Sequence, residues 1–360
     1  MEICSHSQIS ARDAFAMLLQ GAPLVDVRSE SEFQQGHFQG SINIPILNDL
    51  QRHEVGITYK TSGQTAAITL GYKLVDPAKK YLISAWSAAL GKNGMVMCWR
   101  GGMRSQICRE WLAENQVESR QVQGGYKQLR KLACQTWGHL PPLTVLGGFT
   151  GSCKTELLLK TSNYLDLEGL ANHRGSAFGY AYGQSQPAQA TFENNLALSL
   201  KGNTSNSMML VEDESPNLGR CFIPKPVIAA MVKSRVIWLE VPLQERVANI
   251  FEAYVSAPLQ SGITQPQLAA HFLRALMKIK PALGGALTQN LQSLIEDAFT
   301  CQEQTVSVAK HHLWIAQLLS AYYDKRYLHS CGRHDRPVCF RGDLKVVKQY
   351  LQEQGLLNLP

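Results

Sequence analysis

Two stretches of the sequence put reactive side chains where a strand hands over to a turn. The first is VMCWRGGMRSQ, residues 96–106. An apolar run ends at Cys98, and Trp99, Arg100, Gly101 and Gly102 form a turn. Met103, Arg104 and Ser105 then open an amphipathic helix that starts near Arg104. Backbone N–H groups around such a turn point inward, and the positive helix end stabilises a thiolate. Arg104 can add a forked pair of donors for an oxyanion. The spacing describes a reactive thiol in an anion cradle. The plainer alternative is a free cysteine buried ahead of a helix.

The second stretch is LTVLGGFTGSCKTELL, residues 143–158. Gly148, Lys154 and Thr155 fall where the phosphate-binding pattern G-x-x-x-x-G-K-[ST] needs them. Gly151 and Ser152 bring amides to the turn, Lys154 a point charge, and Thr155 a hydroxyl able to meet magnesium. The second glycine of the pattern is replaced by Cys153, which costs strain if its φ is positive and little otherwise. A carboxylate partner should follow another strand. MMLVEDES, residues 208–215, ends in Glu212, Asp213 and Glu214, with Asp213 the candidate for a metal or acid role. YLDLEGLANHRGSAFG leaves a strand through Asp166 and Glu168 and reaches Arg174, the expected second phosphate contact.

Elements that could position these residues are legible around them. Residues 7–20 read as a helix entered through Ser10, and Leu24–Val27, Ile42–Ile44 and Met95–Met97 as short strands. Gly138 and the pair Pro141-Pro142 interrupt the pattern and mark a domain boundary. Beyond it, strands are expected at 143–146, Tyr164–Leu167, Met208–Val211 and Val236–Glu240, and from about 243 the apolar spacing is helical. Strands alternating with helices predict α/β domains with parallel sheets. The expected organisation is a first domain over 1–137, a phosphate-loop α/β domain over 138–242, and a mostly helical region over 243–360.

Composition narrows the class. Apolar residues make up 45% of 360 and charged residues 18%, enough for two globular cores. The net charge of +7 is mild, but seven Lys/Arg face three Asp between Asp324 and Lys348, a basic stretch compatible with nucleic acid. MEICSHSQIS has neither a basic n-region nor an apolar core, and no apolar run is long enough to span a bilayer, so the expected setting is cytoplasmic. Nine scattered cysteines fit reduced thiols. Cys331, Cys339, His329 and His334 lack the second ligand pair that a zinc site needs, so no metal is assigned there.

Several motifs carry a resemblance. LVDVRSESEFQQGHFQGSINIP, CWRGGMRS and VQGGYKQLR resemble the signature segments of rhodanese domains across residues 5–137. Such domains carry sulfur or selenium on the loop cysteine. The loop from Cys98 to Arg104 also satisfies the C-x5-R spacing of thiol phosphatases. Asp26, Arg28, His37 and Pro45 favour the rhodanese reading, and no carboxylic acid can be assigned to protonate a phosphatase leaving group. Together with DLEGLANHRGSAFG, QPAQATFENNL, VEDESPNLGRCFIP and LLSAYYDKRY, nearly the whole chain resembles the tRNA 2-selenouridine synthase family.

That resemblance implies a transferase acting on wobble 2-thiouridine of tRNA. The sulfur is geranylated from geranyl diphosphate, then replaced by selenium from selenophosphate. It implies no tightly bound cofactor, with magnesium an optional companion of the phosphates. Cys98 matches the family's essential cysteine and 148–155 its phosphate loop, except for Cys153. In KIKPALGG, Pro281-Ala282 interrupt the family's more basic approach to its glycines. Trp314, Leu318 and Tyr322 share a helical face and are expected in a core, leaving Lys325 and Arg326 outward as candidate tRNA contacts. Two other readings stay open: an ATPase or kinase regulated by a rhodanese module, and a tRNA-binding protein with a degenerate phosphate loop.

Overall fold

The computed structural model of the chain describes residues 7–176, 178–179, 185–202, 208–305, 307–331 and 336–357. It divides into two units, Met1–His139 with Pro187–Thr204, and Leu140–Gln186 with Ser205–Pro360.

The first unit runs β1 (Gln8–Ile9), α1 (Ala11–Leu19), β2 (Leu24–Asp26), α2 (Glu30–Gln34), β3 (Ser41–Asn43), α3 (Asp49–Val75), α4 (Lys79–Leu90), β4 (Met95–Met97), α5 (Met103–Glu114), β5 (Arg120–Val122) and α6 (Gly125–Gln135). Its sheet has the order β1-β5-β4-β2-β3, with every pairing parallel. The alternation of a strand decides which layer each side chain enters. Met95 and Met97 join Leu24, Phe38 and Leu129 on one face, whereas Val96 and Cys98 join Val25, Trp86 and Trp111 on the other. From β2 the chain steps outward to β3 and then back past β2 to β4. The carboxyl ends of β2 and β4 therefore flank a switch point, where open α/β sheets bind ligands. Ser10 caps α1 by accepting from the Asp13 N–H, as its type suggests. The helix expected from residue 7 is preceded by β1, because Gln8 and Ile9 pair with Gln121 and Val122. Gly63 (φ 82°, ψ −178°) breaks α3 into two arms.

The second unit begins with β6 (Leu143–Gly148), α7 (Lys154–Leu158), β7 (Tyr164–Leu165) and α8 (Leu167–Ala171). The strand expected to reach Leu167 stops at Leu165, since the Asp166 side chain accepts from the Gly169 N–H and starts α8. The next helix, α9 (Gln189–Gly202), belongs to the first unit. There Ala197 enters the core, and the Asn194 amide donates to the Tyr126 hydroxyl (3.2 Å) and the His37 carbonyl (3.0 Å).

The second unit resumes with β8 (Met209–Glu212), the hairpin β9 (Asn217–Leu218) and β10 (Cys221–Phe222), α10 (Lys225–Lys233) and β11 (Arg235–Leu239). Helices α11 (Leu243–Phe251), α12 (Ala257–Gln260), α13 (Gln265–Leu283), α14 (Gly285–Thr305), α15 (Ala309–Leu318) and α16 (Asp324–Cys331) follow. The helical run is then interrupted by β12 (Val338–Gly342) before α17 (Leu344–Glu353). The parallel sheet has the order β12-β11-β6-β8-β7. Its central strand β6 ends in the glycine-rich turn, at this sheet's own switch point. Trp314, Leu318 and Tyr322 lie in a helical core with Phe272 and Ile295. Two π-helical turns, Glu252–Ser256 and Leu319–Tyr323, interrupt this helical region. No helix among the described residues is long and apolar enough to cross a membrane.

Candidate active site

Each unit carries one chemical centre at the carboxyl end of its sheet. In the first, Cys98 is 3% exposed and follows β4 directly. The Gly102 N–H donates to its Sγ at 3.3 Å, and the Ser105 hydroxyl lies 3.2 Å from the same sulfur. The Gln121 side-chain amide donates to Ser105 Oγ (3.0 Å) and to the carbonyls of Gly101 (2.9 Å) and Gly102 (3.3 Å). Gln121 thus ties the turn together, and the Ser105 hydroxyl has two acceptors within reach, the sulfur and the Gly102 carbonyl (3.1 Å).

The turn is packed too tightly for side chains at two positions. Gly101 has φ +64°, and a Cβ there would sit 2.5 Å from the Val122 carbonyl oxygen. A Cβ on Gly125 would sit 2.2 Å from the Cys98 carbonyl oxygen. The Tyr126 and Lys127 N–H groups donate to the carbonyls of Cys98 (2.9 Å) and Trp99 (3.0 Å), so the Gly-Gly-Tyr segment closes the turn. Trp99, Arg100 and Met103 project outward. Arg104 is half-buried, and both its terminal nitrogens reach the Glu32 carboxylate.

Asp26 and Arg28 are architectural. Both are fully buried, and three donors on Arg28 (its backbone N–H, Nε and Nη2) bond the Asp26 carboxylate at 2.6–3.0 Å. Arg28 also donates to the Gly36 carbonyl (2.7 Å) and lies 3.9 Å from the Tyr126 ring centroid. The pair therefore fixes β2 against the segment that closes the cysteine turn. His37 stacks on Phe33 and its Nδ1 lies 3.1 Å from the Phe33 carbonyl.

In the second unit the phosphate-type turn opens on a cavity of about 690 Å³. Gly151, Ser152, Lys154, Thr155 and Arg174 all line it. Gly148, at the end of β6, accepts the Lys154 ammonium on its carbonyl (2.8 Å) and donates its N–H to the Tyr327 hydroxyl (3.2 Å). Ser152 is buried and donates through Oγ to the Phe149 carbonyl at 2.6 Å. Cys153 has φ 57° and ψ 34°, the left-handed conformation that a glycine would adopt without cost. The strain anticipated for this substitution is therefore present. Residues of α11 brace the turn from outside: Arg246 donates to the Thr150 carbonyl (3.2 Å) and Asn249 to that of Gly151 (2.9 Å). The two π-helical turns supply Tyr254 and Tyr323 to the cavity wall, a placement typical of such turns.

Carboxyls crowd this cavity. Thr155 donates to Glu168 (3.2 Å), and the Glu168 N–H donates to Glu212 (3.3 Å). Burial first and the neighbouring Glu168 second push Glu212 up to about 8. Burial, then Glu168 and Glu212, raise Glu214 well above the usual carboxylate range, and burial also raises Glu168. Glu212 therefore keeps its proton at neutral pH, and Glu168 and Glu214 are shifted in the same direction. Asp213, the expected metal or acid residue, also lines this cavity and is paired there. Arg336 holds it through two bonds of 2.8 and 2.9 Å, and the Tyr327 hydroxyl bonds it as well.

Arg174 donates to the Ala253 carbonyl (2.9 Å) and lies over the Tyr254 ring. Lys325 and Arg326 are exposed on α16, and Arg326 reaches the cavity rim and the Tyr322 hydroxyl (3.1 Å). Arg333 and His334 lie outside the described residues. Among the described residues no group of three or more His, Cys, Asp or Glu is arranged to hold a metal. Sequence spacing did not reveal Glu32 or Gln121, because they reach their partners from 72 and 16 residues away. Tyr254 and Tyr323 give no signal apart from the π-helical turns that display them.

Comparison with known proteins gives a consistent assignment. Residues 10–131 match the rhodanese-like domain family, and residues 141–357 match the family described as tRNA 2-selenouridine synthase AAA domain. The tRNA 2-selenouridine synthase of Shewanella frigidimarina (strain NCIMB 400) is 37% identical over 352 residues, covering 94% of this chain and 96% of that protein. The protein of that name from Pseudomonas syringae pv. syringae (strain B728a) is 38% identical over 361 residues, covering 96% and 98%. With both centres and both domain matches present along nearly its full length, the chain belongs to the tRNA 2-selenouridine synthase family.

Proposed function

We propose that this protein is a transferase that converts wobble 2-thiouridine of tRNA to 2-selenouridine through an S-geranyl intermediate. The C2 sulfur attacks C1 of geranyl diphosphate, the C–O bond breaks, diphosphate departs, and the N3 proton is lost. Selenophosphate then adds through its selenium at C2, the C2–S bond breaks to release geranyl thiol with a proton from solvent, and water cleaves the P–Se bond to leave inorganic phosphate and 2-selenouridine. Alkylation matters because it turns a poor leaving group into a better one.

The observation that carries this reading is the Cys98 sulfur held between the Gly102 N–H and the Ser105 hydroxyl. That arrangement stabilises a chalcogen anion, and the Cys98-to-Arg104 turn suits the oxyanion of selenophosphate. The second unit's role is the diphosphate: Lys154, Arg174 and the turn amides line a cavity large enough for a phosphate-bearing donor. Magnesium arriving with the diphosphate would meet hard oxygen donors in Thr155 and Glu168, and would screen the departing charge. Lys325 and Arg326 contact the tRNA backbone, and the reaction is a cytoplasmic one.

The test uses purified protein, tRNA bearing 2-thiouridine, geranyl diphosphate and selenophosphate, with digested nucleosides read by mass spectrometry. Wild type yields 2-selenouridine, and Cys98→Ala accumulates S-geranyl-2-thiouridine. ATP turnover that survives Cys98→Ala without any modified nucleoside would point to a regulated ATPase. Binding of tRNA with no product would point to a recognition protein.

A further inference from the structure

Helix α16 holds the phosphate-type turn at two points while offering two cations to solvent. Asp324 and Tyr327, three residues apart, lie on one face of the helix. The Asp324 carboxylate takes both terminal nitrogens of the buried Arg246 at 2.9 Å, and Arg246 donates in turn to the Thr150 carbonyl at 3.2 Å. The Tyr327 hydroxyl accepts from the Gly148 N–H at 3.2 Å and donates to Asp213, whose carboxylate Arg336 clamps. Its ring packs edge-on against Phe149, which lies between those two points of the turn. Lys325 and Arg326, between Asp324 and Tyr327 in sequence, are exposed. The lysine expected to meet a phosphate is meanwhile held by the turn itself, since Lys154 donates to the Gly148 carbonyl at 2.8 Å. Gly148, whose φ of +151° suits glycine, thus joins α16 through its N–H and Lys154 through its carbonyl.

We propose that α16 couples the two substrates: RNA bound at Lys325 and Arg326 fixes the helix, Tyr327 and Asp324 fix the turn, and the turn then holds a diphosphate more tightly. The inference rests on the proposed function, which assigns RNA to those cations and diphosphate to that turn. The π-helical turn Leu319–Tyr323 ends immediately before Asp324, and it gives α16 a joint at which its position can change. Ordering the helix with the RNA spares the diphosphate that cost, and linkage makes the effect reciprocal. Electrostatics alone predicts the opposite sign, because RNA phosphates beside the cavity repel a second anion. Tighter binding is therefore diagnostic of a mechanical link, with Tyr327 and Asp324 as positioning residues. An allylic diphosphate ionises readily, and a turn that grips it only with RNA in place protects the donor from water.

The test is calorimetric. Inorganic diphosphate is titrated into the full chain, alone and with saturating tRNA bearing 2-thiouridine, and tRNA affinity is measured with and without diphosphate. The expected result is a diphosphate Kd at least about fivefold lower with tRNA, and the same factor in the reverse experiment. Tyr327→Phe keeps the ring and removes the hydroxyl, Asp324→Asn loosens the hold on Arg246, and circular dichroism reports whether each is folded. In Tyr327→Phe the factor falls below about two, although tRNA binding without diphosphate stays within about twofold of wild type; Asp324→Asn lowers the factor as well. A wild-type factor of one or less, or an undiminished factor in both folded variants, overturns the proposal. If wild type still forms selenouridine in that case, the proposed function stands. Coupling that needs Tyr327, with no selenouridine formed, sinks the function and keeps the link between RNA and anion. Absence of diphosphate binding in both conditions overturns the inference together with the cavity's assigned role.

Discussion

Glu32 clasps Arg104: its two carboxylate oxygens take both terminal guanidinium nitrogens, one at 3.1 Å. The cation that completes the cysteine turn is thus oriented by a carboxylate from α2. Burial opposes the charge on Glu32, but Arg104 outweighs it and the carboxyl titrates below its ordinary 4.5. A depressed acid of this kind stabilises the fold above about pH 4.5, and that contribution disappears as pH falls through the lowered value. Glu32→Gln should cost about 1–3 kcal/mol at pH 7. Melting curves of the two proteins should converge once pH has fallen through that lowered value, and a gap that persists in stronger acid would show that the loss is not electrostatic.

Removing the hydroxyl at Ser105, or the amide that orients it, should slow Cys98. A hydrogen bond to a charged group contributes about 1.5 kcal/mol, close to a factor of ten. Ser105→Ala and Gln121→Leu should each reduce the iodoacetamide alkylation rate of Cys98 at pH 7 by roughly that factor. The measurement is mass-spectrometric, following the peptide that contains Cys98. Unaltered rates would mean that the Gly102 amide alone sets its reactivity.

Cys153 offers a gain. A non-glycine residue in the left-handed region costs roughly 1–2 kcal/mol, and glycine gives back about 0.5–1 through its freer unfolded chain. Cys153→Gly should therefore raise stability by up to about 1.5 kcal/mol, and Cys153→Val should lower it. Denaturant titration reads both. Isothermal titration with inorganic diphosphate shows whether the relaxed turn also binds anions more tightly.

The carboxyl group around Thr155 predicts an unusual pH trend. Glu212 is raised to about 8, so the native protein holds a proton that the unfolded chain has released above its ordinary 4.5. Stability from this residue is full below pH 4.5 and falls as pH rises toward 8. Glu212→Gln removes the titration, so the variant should melt several degrees higher than wild type at pH 8, with the difference shrinking at pH 5. An unchanged difference across that range would place the proton elsewhere.

Local chemistry was readable where it depended on neighbours in the chain. Met95–Met97 running into Cys98, Leu143 running into the glycine turn, and Ser10 capping α1 are all short-range facts. The distant partners were not readable. β12 carries mixed, largely exposed residues and is a strand only because β11 offers it an edge. Asp213 sits in a run of acids that looks like a strand end meeting metal, yet Arg336, 123 residues later, neutralises it. Glu32 and Gln121 look like ordinary surface polar residues until the sheet brings α2, β4 and β5 together.

The return of α9 to the first unit has a consequence for how the protein is made. Residues 140–186 leave the ribosome before the helix that completes the earlier unit, so the first unit gains its last helix only after part of the second has emerged. Until α9 arrives, the Tyr126 hydroxyl and the His37 carbonyl lack the Asn194 amide, and the core lacks Ala197. A fragment ending at His139 therefore lacks the Asn194 hydrogen bonds and the Ala197 packing. The order of synthesis binds the thiol centre's completion to a segment that follows the phosphate turn.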